Sequence, residues 1–475
     1  MAMVSPTAGQ AYNFSPGYSD YDSLLVRPVY EFVIRWKQGP DGQMGFGPGV
    51  ASEWTFAPDL SKVTLKIRDG ATFTDGTPLD ANAVAGNVNF WIRHNIAINW
   101  GRFASGAKVV DGAVQIAVTP EGAAQGANQI QIYLATTPVM SPKALKAPDK
   151  LAADPVGSGP YELDTSASTP GTEYRFVRNK GYGDAEEFPY DSIVMKVYPD
   201  TVAAVNALRS GQVDFAPVDE DTAPQVSSAG FKVLETPGQV RGLMLGDKSG
   251  AISPALADVR VRQAMNMAFD RKMIAKNLDQ GYATPTLQPW IKGFPQYDKS
   301  LESLYPYDVA RARKLLADAG YPNGFDLVLP AYSDQPALTK YDPIIKQSLG
   351  DIGIRVTYKT TDWYTAVTEP KFAATNNYIA SYLAQQFYVA HKGLFNPWNY
   401  DDPTMTELVN AFNVSPERER ADIARKIGRR TAETAWMLIL TAPYSLYAMD
   451  KSVEVTANLP LASAPELRFL RPTGR

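Results

Sequence analysis

Few groups in this chain have the type and spacing to do chemistry. Gly157-Ser158-Gly159 sets a serine between two glycines, an arrangement open to a phosphate-cradling loop or an exposed nucleophile. A phosphate loop needs a longer glycine-rich span with a lysine, and a nucleophile elbow needs a glycine two residues beyond the serine, where Pro160 stands. A serine nucleophile also calls for a histidine base, and His94 and His391 are the two histidines present. The motif therefore reads as a structural turn. Asp69 and Asp75 flank a strand-turn junction where paired-carboxylate catalysis is conceivable, but turn formation and capping account for both more simply. The chain has no cysteine, which removes disulfides, thiol nucleophiles and thiolate metal ligands together. Two histidines far apart in sequence form no metal framework, and Tyr400-Asp401-Asp402-Pro403 lacks the spaced carboxylates of a calcium loop. That cluster reads as a solvated turn before a helix at Thr406.

Aromatic residues are more informative. The 25 Tyr, 19 Phe and 8 Trp make up 11% of the chain, and most must be core. The stretch from Tyr378 to Tyr400 is different: it interleaves Tyr382, Gln385, Gln386, Phe387, Tyr388, His391, Phe395, Trp398 and Asn399 without any Asp or Glu. It neither alternates like a strand nor repeats like a helix. Neutral hydrogen-bonding groups among flat apolar faces suit a polar, largely uncharged ligand, and a packed loop fits the same pattern.

The elements that must position these residues alternate as in an α/β protein. Val63 to Ile67 alternates as a strand, Thr74-Asp75-Gly76-Thr77-Pro78 is a turn, and Asp80 caps a helix running through Val84 and Val88 to Trp91. Gln129 to Leu134, Tyr174 to Val177 and Ile193 to Val197 read as further strands. Helices are expected at Val202 to Ser210, Val261 to Gln280, Asp308 to Ala319 with Gly320 as its stop, and Pro416 to Trp436.

A chain of 475 residues with 45% hydrophobic and 20% charged content predicts two or three domains around a real core. Its net charge of -4, with no basic run, argues against nucleic acid and anionic membrane as partners. No apolar stretch is long enough for a membrane span. The first residues have neither a basic nor an apolar signal-peptide region, which fits a cytoplasmic protein or a processed, exported one. The 36 prolines and 35 glycines are spread along the chain, with no repeat or low-complexity tract.

An ordered series of motifs resembles the family 5 solute-binding proteins of ABC importers. Pro48-Gly49-Val50-Ala51-Ser52-Glu53-Trp54 is similar to P-x-L-A-x-S-W, and the run from Leu65 to Leu79 to L-R-x-G-V-x-F-x-D-G-x-P-L. Pro155-Val156-Gly157-Ser158-Gly159-Pro160-Tyr161 stands in the place of P-V-G-T-G-P-Y, and Arg178-Asn179-Lys180-Gly181-Tyr182 in that of R-N-P-x-Y. Ala204 to Asp214, Asp258 to Ala264, Ala268-Phe269-Asp270-Arg271 and Ala312 to Tyr321 follow in the family's order.

The resemblance implies an α/β fold of the periplasmic-binding-protein class II, two lobes around a cleft. It puts residues 1–37, 156–243 and 446–475 in the first lobe, 38–155 in an inserted subdomain, and 244–445 in the second lobe, with hinges near Arg241-Gly242-Leu243 and Pro443-Tyr444-Ser445. It implies an exported, monomeric receptor, lipid-anchored or free, that needs no cofactor and passes a small solute or peptide to a membrane permease. Implied solute contacts are Phe14, Tyr18, Trp290, Trp363, Gln385, Gln386, Tyr388, His391 and Trp398. In peptide-binding members an aspartate pairs with the peptide's amino group, and Gln386 occupies that position here. A buried ammonium without a carboxylate is costly, so neutral polar solutes or blocked peptides are expected over free peptides. Nickel receptors occur in the family, and His391 keeps a metal-chelate ligand open; a hydrolase is the remaining alternative.

Overall fold

Asp80 starts the first long helix of the computed structural model, Ala81–His94, by accepting a hydrogen bond from Ala83 N at 2.9 Å. The structure describes residues 1–4, 25–39, 44–94, 96–124, 126–294, 296–380, 398, 400–415, 417–457 and 465–474. They divide into one unit of Met1–Thr236 with Ser445–Arg475, and a second of Pro237–Tyr444.

In the first unit the helix Ala81–His94 buries Val84, Val88 and Trp91 against an antiparallel sheet, Ala51–Phe56, Lys62–Ile67, Ala113–Val118 and Ala104–Val110 in spatial order. The turn before it closes on Gly76 at φ 79°, with Asp75 accepting from Thr77 N at 3.0 Å and from its hydroxyl at 2.6 Å. A second sheet orders Ala2–Val4, Ser192–Tyr198, Glu173–Arg178 and Tyr161–Leu163. A third sets Ser445–Met449 between Phe215–Val218 and Lys232–Thr236, antiparallel to both. Gly157-Ser158-Gly159 lies where backbone runs against backbone: a Cβ at Gly157 would stand 2.0 Å from Val29 O, and one at Gly159 2.4 Å from Pro28 O. The Ser158 hydroxyl donates to Glu31 at 3.0 Å. Glu31, 4% exposed, also takes both Arg68 η-nitrogens and Arg35, so this buried carboxylate is charge-compensated.

Two expected elements differ. Gln129 to Leu134 is not a strand: it belongs to the helix Gly126–Thr136. The alternation misled because Ile130, Ile132, Tyr133 and Leu134 are all buried, and a segment covered on several sides carries no readable period. Tyr133 stacks on Phe103 at 4.5 Å and meets Trp100 edge-on at 5.5 Å. Val261 to Gln280 is not one helix either. Val259–Met267 ends, Asp270 accepts from Met273 N to begin Arg271–Met273, and a π-helical turn, Ile274–Leu278, follows.

The second unit is built on an antiparallel sheet ordered Ala283–Pro285, Met437–Pro443, Gln239–Met244 and Thr375–Ala380. A parallel pair, Asp326–Tyr332 with Arg355–Thr361, lies in the same unit. Leu243, Leu438 and Leu440 of the sheet share a core with Val261, Ala264, Leu316, Leu327 and Leu349. The helix Val309–Asp318 starts with Asp308 accepting from Arg311 N at 2.8 Å and is followed by Gly320 at φ 96°. Asp402 is no solvated turn residue. It is 3% exposed, caps the helix Pro403–Val414 through Met405 N at 3.1 Å, and pairs with Arg430 of the helix Glu417–Glu433 at 2.8 Å. The helix it opens begins three residues earlier than Thr406 because the aspartate supplies the cap.

Candidate functional site

Of the nine residues picked out by sequence as solute contacts, Phe14, Tyr18, Gln385, Gln386, Tyr388 and His391 lie outside the described residues. Trp290, Trp363 and Trp398 belong to the unit Pro237–Tyr444. Trp363 follows Asp362, whose carboxylate accepts from Thr365 N at 2.8 Å to cap the helix Trp363–Thr368. Its indole donates to Asn377 Oδ1 at 2.9 Å, and with Tyr378 it packs on the cluster Tyr332, Leu338, Ala366 and Phe372. Trp398 is half-buried, and its indole donates to Phe372 O at 2.9 Å. Its ring lies over Gly246 so closely that a Cβ there would meet it at 2.1 Å. Trp363 and Trp398 thus converge on the short segment from Phe372 to Asn377. Trp290 does not join them: it is 1% exposed and wedged against Gly428 in the helix Glu417–Glu433.

Two further clusters escaped the sequence reading. Arg241 lies in the strand Gln239–Met244 with its guanidinium carbon over the rings of Tyr341, 4.0 Å from the ring centre, and Tyr378, 4.3 Å from it. Its Nη2 donates to the Tyr378 hydroxyl, its Nη1 lies 3.8 Å from Asp279, and the Tyr341 hydroxyl donates to Asp279. Lys248, 5% exposed, rests its ammonium 3.9 Å from the Trp436 ring centre and 5.0 Å from that of Tyr400. Burial drives its pKa well below the usual lysine range, aided by Arg262 and opposed by Asp402 and Asp247. Only the positioning of Tyr378 and Tyr400 at the ends of the aromatic stretch hinted at either cluster.

Among the described residues no group of three or more His, Asp or Glu is placed to hold a metal ion. His94 is exposed, and its ring lies tilted against Phe90 with centres 4.2 Å apart. What the described residues of this region offer is flat aromatic surface, neutral amides and embedded cations, a set suited to holding a molecule.

No helix among the described residues is long and apolar enough to cross a membrane. The glutathione-binding protein GsiB of Escherichia coli (strain K12) is 28% identical over 359 residues, an alignment covering 72% of this chain and 66% of that protein. The same protein of Shigella boydii matches equally, so the chain spans less than two thirds of these relatives' length. Solved structures share the fold at lower identity. NikA from Brucella suis in complex with Fe(III)-EDTA superposes with a TM-score of 0.82 at 20% identity, covering 100% of this chain and 99% of that one. The binding protein AgaA from A. tumefaciens R10 with agropinic acid gives 0.76 at 22%, covering 100% and 99%. DppA from Helicobacter pylori with the peptide STSA gives 0.75 at 17%, covering 100% and 98%. The class II periplasmic-binding fold expected from the motifs is thus the fold of these proteins. Residues 45–415 match the profile of the bacterial extracellular solute-binding proteins, family 5, and with most of its length inside that match the chain belongs to this family.

Proposed function

We propose that the protein is the extracytoplasmic receptor of an ABC importer, capturing a small polar solute of the oligopeptide or oligosaccharide class and delivering it to a membrane permease. The family match across residues 45–415 carries this reading. Capture proceeds by closure of two lobes about hinges near Arg241-Gly242-Leu243 and Pro443-Tyr444-Ser445, with residues 38–155 as a subdomain of the first lobe. Trp363 and Trp398 present flat faces to the solute together with Phe14, Tyr18, Gln385, Gln386, Tyr388 and His391. Trp290 acts from behind, as support. The absence of any acid from Lys371 to Tyr400 in the sequence favours neutral or blocked ligands over free peptides. The receptor acts as a monomer and catalyses no reaction on its cargo.

A solute panel tests this: glutathione, free tetrapeptides, N-acetylated peptide amides and neutral oligosaccharides. The cognate class raises the melting temperature and lowers the radius of gyration in small-angle scattering, because it binds the closed state alone. A solute that binds at saturation with an unchanged radius of gyration refutes closure. Binding of free tetrapeptides more tightly than their blocked forms refutes the charge argument.

A further inference from the structure

Three arginines are buried in the unit Pro237–Tyr444, and two of them are fully occupied. Arg262 gives its nitrogens to the carbonyls of Leu256 and Thr434 at 2.7 to 3.2 Å. Arg271 gives its three to Ile439 O, Asn266 O and Asn266 Oδ1 at 2.7 to 2.9 Å. These are structural arginines that stitch loops and strands together. Arg241 is equally buried, at 5% exposed, yet its Nε and Nη1 have no hydrogen-bond acceptor among the described residues. Two N–H-bearing nitrogens left without acceptors in a protein interior are costly.

The guanidinium is also held in place: its carbon lies over the rings of Tyr341 and Tyr378 and its Nη2 donates to the Tyr378 hydroxyl, so the groups left over are Nε and Nη1. The strand registers pair Arg241 with Thr441 on one side and Tyr378 on the other, and Thr441 with Pro285. Paired residues point to the same face, so Pro285, Thr441, Arg241 and Tyr378 form one row across the sheet. The Thr441 hydroxyl in this row is fully buried and has no partner among the described residues. Pro285 at the end of the row, and Gln239 two residues before Arg241 in its own strand, line a cavity of about 140 Å³ together with Thr284 and Tyr444.

We infer that Arg241 is a hydrogen-bond clamp for an uncharged acceptor oxygen, an amide carbonyl or a hydroxyl, of the bound solute. This rests on the receptor reading above and sharpens its substrate class. The charge balance selects a neutral acceptor. Asp279, 2% exposed and 3.8 Å away, already offsets the guanidinium, and a ligand carboxylate would bring an unbalanced negative charge into the interior. The two rings and the Tyr378 hydroxyl hold the fork in advance, so little rotamer freedom is lost on binding.

The Arg241 Nε–H resonance can be followed by heteronuclear NMR in the full chain, assigned by its loss in Arg241→Lys and, should that variant not fold, by its displacement in Tyr378→Phe. N-methylacetamide and acetate are the probes. N-methylacetamide is expected to shift the resonance saturably, acetate to bind at least about tenfold more weakly, and the carbonyl-bonded Arg271 Nε–H to stay still under both. An Arg241 resonance unmoved by N-methylacetamide, tighter binding of acetate, or an equal response at Arg271 overturns the clamp. The readout needs no physiological cargo. A positive result with no binder in the solute panel sinks the receptor reading alone, and a panel solute that closes the protein without moving the Arg241 signal sinks the clamp alone.

Discussion

Trp290 and Gly428 are coupled by contact, and the coupling has a sign that can be measured. The indole, 1% exposed, lies so close to the helix Glu417–Glu433 that a Cβ at Gly428 would stand 2.4 Å from its Cζ3 and 2.7 Å from its Cε3. In a free helix, Gly→Ala stabilises by about 1 kcal/mol through backbone entropy and propensity. Here the added methyl must push a ring that has no room to move, at a cost of about 1–3 kcal/mol. Gly428→Ala in the parent chain is therefore expected to destabilise by about 0–2 kcal/mol, the difference of those two effects. Trp290→Ala leaves a cavity and costs about 3–5 kcal/mol. In that background the methyl added by Gly428→Ala meets empty space, so the same change should stabilise by about 1 kcal/mol. The double-mutant cycle should return a coupling of about 1–3 kcal/mol. Urea unfolding of the four proteins, at constant slope, reads it out, and each kcal/mol corresponds to about 2–4 °C in melting temperature for a unit of this size. Gly428→Ala having the same sign and size in both backgrounds refutes the packing argument, and a Trp290→Ala cost under about 1 kcal/mol denies Trp290 its place in the core.

Three other outcomes follow from the same kind of reasoning. Lys248 has a folded-state pKa below its unfolded value, so the unfolded chain binds more protons between the two and stability rises with pH through that window; Lys248→Met should raise the neutral-pH melting temperature and flatten that rise, as calorimetry across pH would show. Glu31→Ala removes the carboxylate shared by Arg68, Arg35 and Ser158, while Arg35 keeps Tyr182 and Glu187 and Arg68 keeps Gly49 O, so it should cost about 1–3 kcal/mol in denaturant unfolding, with no measurable cost contradicting the buried-network picture. Trp398→Ala is expected to weaken solute binding by about 1–3 kcal/mol in calorimetry while lowering the unfolding midpoint less than Trp290→Ala does, the reverse order placing Trp398 in the core and outside the site.

Much of the architecture was legible wherever a local rule decides it. The caps at Asp80 and Asp308, the Asp75-Gly76 turn and the alternating strands around Tyr174 and Ile193 stand where their residues predict. Local reading fails where burial erases the pattern, as at Gln129 to Leu134, or where one aspartate restarts a helix, as at Asp270. The site was harder to read. Arg241 meets Asp279, Tyr341 and Tyr378 through strand pairing and helix placement, and nothing near Arg241 in sequence announces them. Asp402 looked solvated because its partner, Arg430, lies in the next helix.

The strand Ser445–Met449 has a consequence for biosynthesis. It lies between Phe215–Val218 and Lys232–Thr236, and it is the middle member of that sheet. A ribosome makes the two outer strands first and then the whole of Pro237–Tyr444 before the middle one emerges. At about 5–20 residues per second, the outer strands wait tens of seconds without the partner that satisfies their backbone groups. Pro237–Tyr444, by contrast, is continuous and needs no later segment to close. Until the last strand arrives Phe215 and Val218, buried once the sheet closes, are the surfaces a holding chaperone would meet.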